Sequence, residues 1–412
     1  MNSRFLALLA FLLCSIEASL SAAVFERSVR KSSGDLPVVV LRGTAEERAR
    51  AFGALCGREF LQMLEKAMVP AVNAKSDQAW DELAAATGRY FAFPKEFQQQ
   101  AEAFIDGLRQ ALPADERRIQ ALGREVQVSD LLALHAFPDL AVSGRVPLGG
   151  CSSFSAWGAR TEDGRTIAGR NLDYFTFPGR IPVVVIAQEP AEKGLQKTIE
   201  VSVPGILGAS TALNEQGVFL SLNDEAGLPP SRNGGWIPRV VPLRRAIETA
   251  GAATAVEDVA RALRDAPLAA GGIVHVSFPS AAKSASGPAV IEWDGNEEGG
   301  GVTVRRGSEQ AIHCTNHYLE RRNRDASGSS KERFDALKRG FETSASAGEK
   351  IDLARAKKLL DAAAVRGRVS TYLSVIARPD ERRLWVAVAP RPGASATDGE
   401  WTEIAWKEVF AP

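Results

Sequence analysis

Histidine, cysteine and tyrosine are scarce in this chain: each occurs four times in 412 residues. No charge of one sign prevails either, because Lys+Arg and Asp+Glu both number 50. A zero formal charge argues against a nucleic-acid binder, which needs a basic excess to meet phosphates. Beyond the N-terminus no run of 18 apolar residues occurs, so no membrane span is expected. Internal repeats are absent. The Gly-rich stretch at 295–301, GNEEGGG, lacks the Lys-Ser/Thr of a phosphate-binding loop and reads as a hairpin loop. With four histidines, metal sites are few to choose from. His313 and His317 lie four apart around Cys314, but no further ligands accompany them, so neither a metal nor a cofactor is implied.

The N-terminus departs from this pattern. MNSRFLALLAFLLCSIEASLSAA carries Arg4, an apolar run from Phe5 to Leu13, and small residues at Ser21, Ala22 and Ala23. That layout predicts a signal peptide over 1–23 and a secreted or periplasmic product. Cys14 raises the alternative of a lipid-anchored protein, although Leu13 stands where a small residue is expected. Removing the signal leaves Cys56, Cys151 and Cys314, an odd count, so at least one thiol stays free or pairs with another chain. Cys56 and Cys314 could form a disulfide or be two small buried hydrophobes.

Residues 24–150 read as mainly helical after an opening strand, PVVVLRG. Thr44 and Glu47 form a capping box for the first long helix. From 151 to 412 the texture becomes β-rich, with short strands separated by turn signals at Asp163-Gly164, at 190–194 and at Asn214–Gly217. Two groups of helices interrupt them, at about 242–266 and 329–364. Strand pairs joined by tight turns predict antiparallel sheets, and the helices predict cover for their faces.

The switch falls at GGCSSF, residues 149–154. An isolated cysteine is ordinarily a small buried hydrophobe. Here, however, two glycines precede Cys151, and Ser152 and Ser153 follow it. The next strand ends in GRNLDYF, so a hairpin through Asp163-Gly164 returns Arg170 and Asp173 beside Cys151. A cation there would favour the thiolate, the nucleophilic form of cysteine. No histidine sits in a recognisable cysteine-protease context, which leaves another base: the α-amine of an N-terminal residue, with an ordinary pKa of about 7.7–8.0. Cutting between Gly150 and Cys151 would put thiol and base on one residue.

Gly150-Cys151-Ser152, DGRTIAGRNLDYF at 163–175, PGILGASTALNEQGVFLSLND at 204–224, CTNHY at 314–318 and SSKERF at 329–334 together resemble the cysteine N-terminal-nucleophile (Ntn) hydrolases. The nearest branch is that of the acyl-CoA:6-aminopenicillanic acid acyltransferases. Choloylglycine hydrolases, acid ceramidases and N-acylethanolamine acid amidases are more distant. The resemblance implies an α+β fold, a four-layer αββα sandwich of antiparallel sheets. It also implies autoproteolysis into a small chain ending at Gly150 and a large chain starting at Cys151. Carried over residue by residue, it makes Cys151 the nucleophile, Arg170 the cation beside the thiol and Asp173 the holder of the freed amine. Asn223 becomes the oxyanion donor, Asn316 a second site asparagine that positions substrate or amine, and Arg333 an arginine that orders the site. Each has a plainer reading: Asn223 as a residue near a turn, Arg170 and Asp173 as a strand-end pair, Arg333 as a surface helix charge.

The function this implies is cleavage of a small-molecule N-acyl amide through a Cys151 thioester. The alternatives are acyl transfer to an amine and a non-catalytic binding protein on the same scaffold. The cluster Arg321, Arg322 and Arg324 could meet an anionic substrate or be a solvated loop.

Overall fold

The computed structural model describes residues 28–143, 149–176, 181–225, 227–228, 230–282, 287–295, 301–321 and 328–411. The expected signal segment with Cys14, residues 296–300 of the Gly-rich stretch, Arg322 and Arg324 lie outside the described residues.

Among the described residues the strands form two large sheets. One runs in the order β1 (Val29–Ser33), β2 (Leu36–Gly43), β7 (Val184–Pro190), β8 (Thr198–Ser202), β9 (Thr211–Asn214), β10 (Phe219–Asp224), β11 (Gly272–Ser277), β12 (Ala289–Trp293), β13 (Val302–Arg306). The other runs β14 (Ala311–Cys314), β5 (Gly149–Ala156), β6 (Ile167–Phe175), β15 (Val369–Arg378), β16 (Arg383–Val388), β17 (Trp401–Ala405). A two-residue pair, β3 (Arg118–Ile119) with β4 (Arg124–Glu125), stands apart. Neighbours are antiparallel as expected, with one exception: β2 pairs with β7 in parallel. Parallel neighbours need a long crossover, and the intervening chain, with its helices and the β5–β6 hairpin, supplies it. The N-terminal segment is thereby stitched into the same sheet as the strands that follow Cys151.

Alternation along the strands builds the layers. Val38 and Val40 of β2 point at the second sheet, where Leu373, Val375, Leu384 and Val386 meet them. Val39 and Leu41 point the other way, onto α1 (Ala45–Met63) and its neighbours. Thr44 and Glu47 close α1 with the capping box, Thr44 N–H donating to Glu47 Oε2 at 2.7 Å. After α1 come a π turn, α2 (Val69–Val72), α3 (Ala79–Tyr90), α4 (Lys95–Ala111) and α5 (Val128–Ser143). Phe52, Phe60 and Phe104 of α1 and α4 pack edge to face in this outer layer, at centroid distances of 5.4 and 5.2 Å. Farther along the same face, α6 (Val240–Thr249) and α7 (Ala255–Asp265) cover β9–β12. Beyond the second sheet, α8 (Gly328–Ser346) and α9 (Leu353–Ala362) set Leu337, Phe341 and Leu359 on Phe154, Ile167 and Ile376. Helices, sheet, sheet, helices: this is the αββα sandwich. A last short helix, α10 (Trp406–Val409), ends the chain. Among the described residues no helix is long and apolar enough to cross a membrane.

Candidate active site

β5 lies in the second sheet between β14 and β6. Its pairing with β6 sets Gly150 opposite Asp173, Cys151 opposite Leu172 and Ser153 opposite Arg170. Cys151, Ser153 and Ser155 face the larger sheet, where Ser153 reaches Ser221 and Ser155 reaches His275. Ser152 and Phe154 face α8, where Arg333 donates to Ser152 Oγ at 3.1 Å. The nucleophile candidate therefore has a side chain on one face of the sheet and a backbone served from the other.

On the first face, Arg170 Nη2 stands 3.6 Å from Cys151 Sγ. The guanidinium is anchored by Nη2 on Leu222 O at 2.8 Å and Nη1 on Ser210 O at 3.2 Å. Its Nε is buried with no hydrogen-bond partner among the described residues. Burial pushes the Cys151 thiol up, and Arg170 pulls it back only in part. Arg170 favours the thiolate as expected, but desolvation outweighs it: the intact chain holds the thiol protonated, and it needs a base.

On the second face, Asn316 Oδ1 accepts the Cys151 N–H at 2.7 Å, while Asn316 Nδ2 donates to Asp224 O at 2.6 Å. Arg333 binds Cys151 O, and its Nη2 donates to Asn316 Oδ1 at 2.8 Å. The same guanidinium lies 3.6 Å from Asp173 Oδ2, an ion contact without a hydrogen bond. Thr371 Oγ1 donates to Asp173 Oδ1 at 2.6 Å. Burial pushes the Asp173 carboxyl up against the pull of Arg333 and Thr371. Asp173 thus stands opposite the bond before Cys151 with one buried oxygen open to a donor.

The first of the two glycines is held to its identity by its backbone. Gly149 adopts φ +151°, and a Cβ there would sit 2.1 Å from Asp173 O.

Five of the six expected residues therefore converge on Cys151, itself included. Asn223 does not: its Nδ2 donates to Thr315 O at 3.2 Å, and its Oδ1 accepts from Ser153 Oγ at 2.9 Å. It braces the seam between the sheets instead of presenting a free amide. Cys56 and Cys314 are both free and buried, so the possible disulfide is not formed. His313 and His317 both pack against Phe334, at ring distances of 4.3 and 5.2 Å. Arg321 binds Asp294 through Nη2 at 2.7 Å.

Cys151 opens into a cavity of about 140 Å³ whose walls include Leu134, Phe137, Leu172 and Ile206. A cavity of about 150 Å³ lined by such residues accepts a benzene ring. Tyr174 and Tyr372, edge to face at 6.2 Å, flank it. His135 lines it too, but both ring nitrogens are engaged: Nδ1–H donates to Leu131 O at 2.7 Å and Nε2 accepts Leu207 N–H at 2.8 Å. Asp139, Asp224 and Arg239 form a polar wall. Nothing in the sequence marked these three, which meet only in the fold. Asp224, beside Asn223 in SLND, gave the nearest hint.

The family model described as acyl-coenzyme A:6-aminopenicillanic acid acyl-transferase matches residues 159–391. The match begins just past Cys151 and takes in Arg170, Asp173, Asn223, Asn316 and Arg333. Curated proteins gave no sequence match. Among solved structures, this chain is similar to the Caenorhabditis elegans N-acylethanolamine-hydrolyzing acid amidase ortholog at 16% identity, over 56% of this chain and 93% of that one, with a TM-score of 0.39. A variant of the conjugated bile acid hydrolase from Clostridium perfringens is 11% identical over 63% of this chain and 93% of that one, TM-score 0.42. Penicillin V acylase from Agrobacterium tumefaciens is 13% identical over 63% and 87%, TM-score 0.41. Since the family match spans more than half of its residues, the chain belongs to the acyl-coenzyme A:6-aminopenicillanic acid acyl-transferase family.

Proposed function

We propose that this protein is an exported, self-processing amidohydrolase that cleaves a small N-acyl amide through a thioester on Cys151, with residues 1–23 as its export signal. The observation that carries this reading is the double service to one residue. Arg170 and an apolar cavity attend the sulfur, while Asn316, Arg333 and Asp173 attend the backbone immediately before and after it. A structural cysteine needs neither.

Histidine is not the base in this reading. His135 is fully engaged, and no hydrogen bond joins Cys151 to a histidine among the described residues. Cleavage of the Gly150–Cys151 bond would free an α-amine, whose ordinary pKa suits a base near neutrality. The open oxygen of Asp173 would receive that amine, and Asn316 Oδ1 already holds its nitrogen. In turnover the amine takes the thiol proton as Sγ attacks the acyl carbonyl. It then gives that proton to the departing amine, leaving the thioester. Water, deprotonated by the same amine, attacks the thioester carbonyl; the C–S bond breaks, the acid leaves and the proton returns to Sγ. Arg170, with Nη2 at 3.6 Å from the sulfur, is placed to meet the developing negative charge, since the Asn223 amide is already bonded to Thr315 O and Cys314 Sγ. The acyl half lies in the apolar cavity, which suits a compact group of about the bulk of a phenyl ring.

Transfer of the acyl group to a second amine is the other reading, and family membership favours it. Product analysis with and without an acceptor amine separates the two. N-terminal sequencing of the purified protein tests the core claim: a terminus beginning Cys-Ser-Ser is expected in the wild type, and Cys151→Ala should stay uncut and inactive. A wild type that turns over amides while intact ahead of Cys151 would end the proposal.

A further inference from the structure

The cavity at Cys151 has one ionic wall. Asp139 comes from α5, Arg239 precedes α6, and Asp224 closes β10. Arg239 is buried and fully spent. Its Nε donates to Asp139 Oδ1 at 2.7 Å and its backbone N–H to Asp139 Oδ2 at 2.8 Å. Its Nη1 donates to Gly271 O at 2.8 Å and its Nη2 to Asp224 Oδ1 at 2.9 Å. Asp139 therefore has a donor on each oxygen. Asp224 differs: its side chain is 29% exposed, against 3% for Asp139, and its Oδ2 has no hydrogen-bond partner among the described residues. Two carboxylates against one guanidinium leave a formal surplus of one negative charge. That surplus falls to Asp224, the one of the three that solvent reaches.

Asp224 is also tied to the reacting backbone. Its carbonyl accepts Asn316 Nδ2, and Asn316 Oδ1 accepts Cys151 N–H. The nitrogen that must protonate the leaving amine thus lies two hydrogen bonds from the backbone carbonyl of Asp224. With the acyl half against Leu134, Leu172 and Ile206, the leaving half would face the wall of the cavity that carries Asp224.

We propose that Asp224 selects substrates whose leaving half carries a second, positively charged nitrogen, so that this protein releases a diamine or a comparably basic amine from its N-acyl derivative. What is cleaved rests on the amidase reading above; the charge preference of the cavity does not. Arg170, 3.6 Å from the sulfur, opposes it and would by itself draw anions. The sign of the preference is therefore informative.

Methanethiosulfonate reagents with aminoethyl, ethyl and sulfonatoethyl groups place the same reactive sulfur beside a positive, neutral or negative end. Each transfers its group to the thiolate and expels methanesulfinate. Rates at Cys151 of the purified full chain, followed by peptide mass and divided by the rates with free cysteine, should fall in the order aminoethyl, ethyl, sulfonatoethyl. Each step should be about fivefold, the effect of a unit charge a few ångströms away in water-like surroundings. Asp224→Asn, which keeps an oxygen for Arg239, should flatten that order. If the variant does not fold, the wild-type order decides alone. In parallel, kcat/KM should be higher for the N-phenylacetyl amide of diaminopropane than for that of butylamine, and the ratio should collapse in Asp224→Asn. Equal reagent rates, or sulfonatoethyl fastest, overturn the inference even where both amides are cleaved. The aminoethyl preference with neither amide cleaved overturns the amidase reading and leaves the cation preference of the cavity standing.

Discussion

Arg333 closes directly over Gly150: a Cβ built on that glycine would lie 2.5 Å from Arg333 Nη2 and 3.1 Å from Asn316 Oδ1. A free arginine tip would swing aside at little cost. This one is held by Cys151 O, Ser152 Oγ and Asn316 Oδ1 together. Gly150→Ala should therefore destabilise the precursor by about 1–3 kcal/mol, the usual cost of forcing extra volume into a packed site. It should also slow cutting before Cys151. Urea unfolding and a gel time course read the two effects, and an alanine variant cut at the wild-type rate would refute the account of this contact.

Removing Arg333 should cost more. Asp173 is buried, and Arg333 at 3.6 Å is the first of the groups that hold its carboxyl down. Arg333→Met would strand that carboxylate, and breaking a buried pair from one side costs about 3–5 kcal/mol. Adding Asp173→Asn removes the stranded charge and should recover part of the loss. Denaturant midpoints for the two variants measure this. A double variant no more stable than the single one would mean that charge is not what Arg333 answers.

The local part of this site was readable because it is a hairpin. Strand period and the Asp163-Gly164 turn together bring Asp173 opposite Gly150 and Arg170 opposite Ser153, on either side of Cys151, with no tertiary knowledge required. The capping box at Thr44 and Glu47 was readable for the same reason. What could not be read depends on elements far apart in sequence. The parallel β2–β7 pairing joins residues about 147 apart. The Asp139–Arg239–Asp224 wall joins three segments of which only the one ending in Asp224 belongs to a motif, and that motif did not single out Asp224. Asn223 sits where its motif suggests, yet Thr315 and Ser153, from two other strand regions, decide where its amide points. Arg170 does pull the Cys151 thiol down, as its place beside it suggests, but burial, a property of the whole fold, outweighs that pull.

Because burial outweighs Arg170, Cys151 in the uncut chain should react with iodoacetamide more slowly than free cysteine at neutral pH and gain rate as pH rises. Arg170→Met removes the largest opposing pull, so its profile should move further to the alkaline side. Cys56 and Cys314, both buried and pushed up to about 12, should stay unmodified until the protein unfolds. Peptide masses after a pH series check all three thiols. An Arg170→Met profile shifted toward acid would contradict this electrostatic picture.

Stability below neutral pH should be governed by buried groups that resist changing charge. Burial pulls His135 down to about 4, whereas an unfolded histidine titrates near 6.5. Between those values the unfolded chain binds a proton and the folded chain does not, so this contribution is complete above 6.5 and is lost as pH falls toward 4. Glu200 works in the opposite sense. Burial pushes it up to about 7, so from 4.5 to 7 the folded chain keeps a proton that the unfolded chain has released, and stability falls as pH rises. The two slopes offset each other between 4.5 and 6.5. Glu200→Gln should make stability climb more steeply with pH there, by up to about 1.4 kcal/mol per pH unit, and His135→Gln should flatten the curve by a similar amount. Urea unfolding at half-unit pH steps resolves slopes of this size. If both variants run parallel to the wild type, these two groups do not set the acid limb.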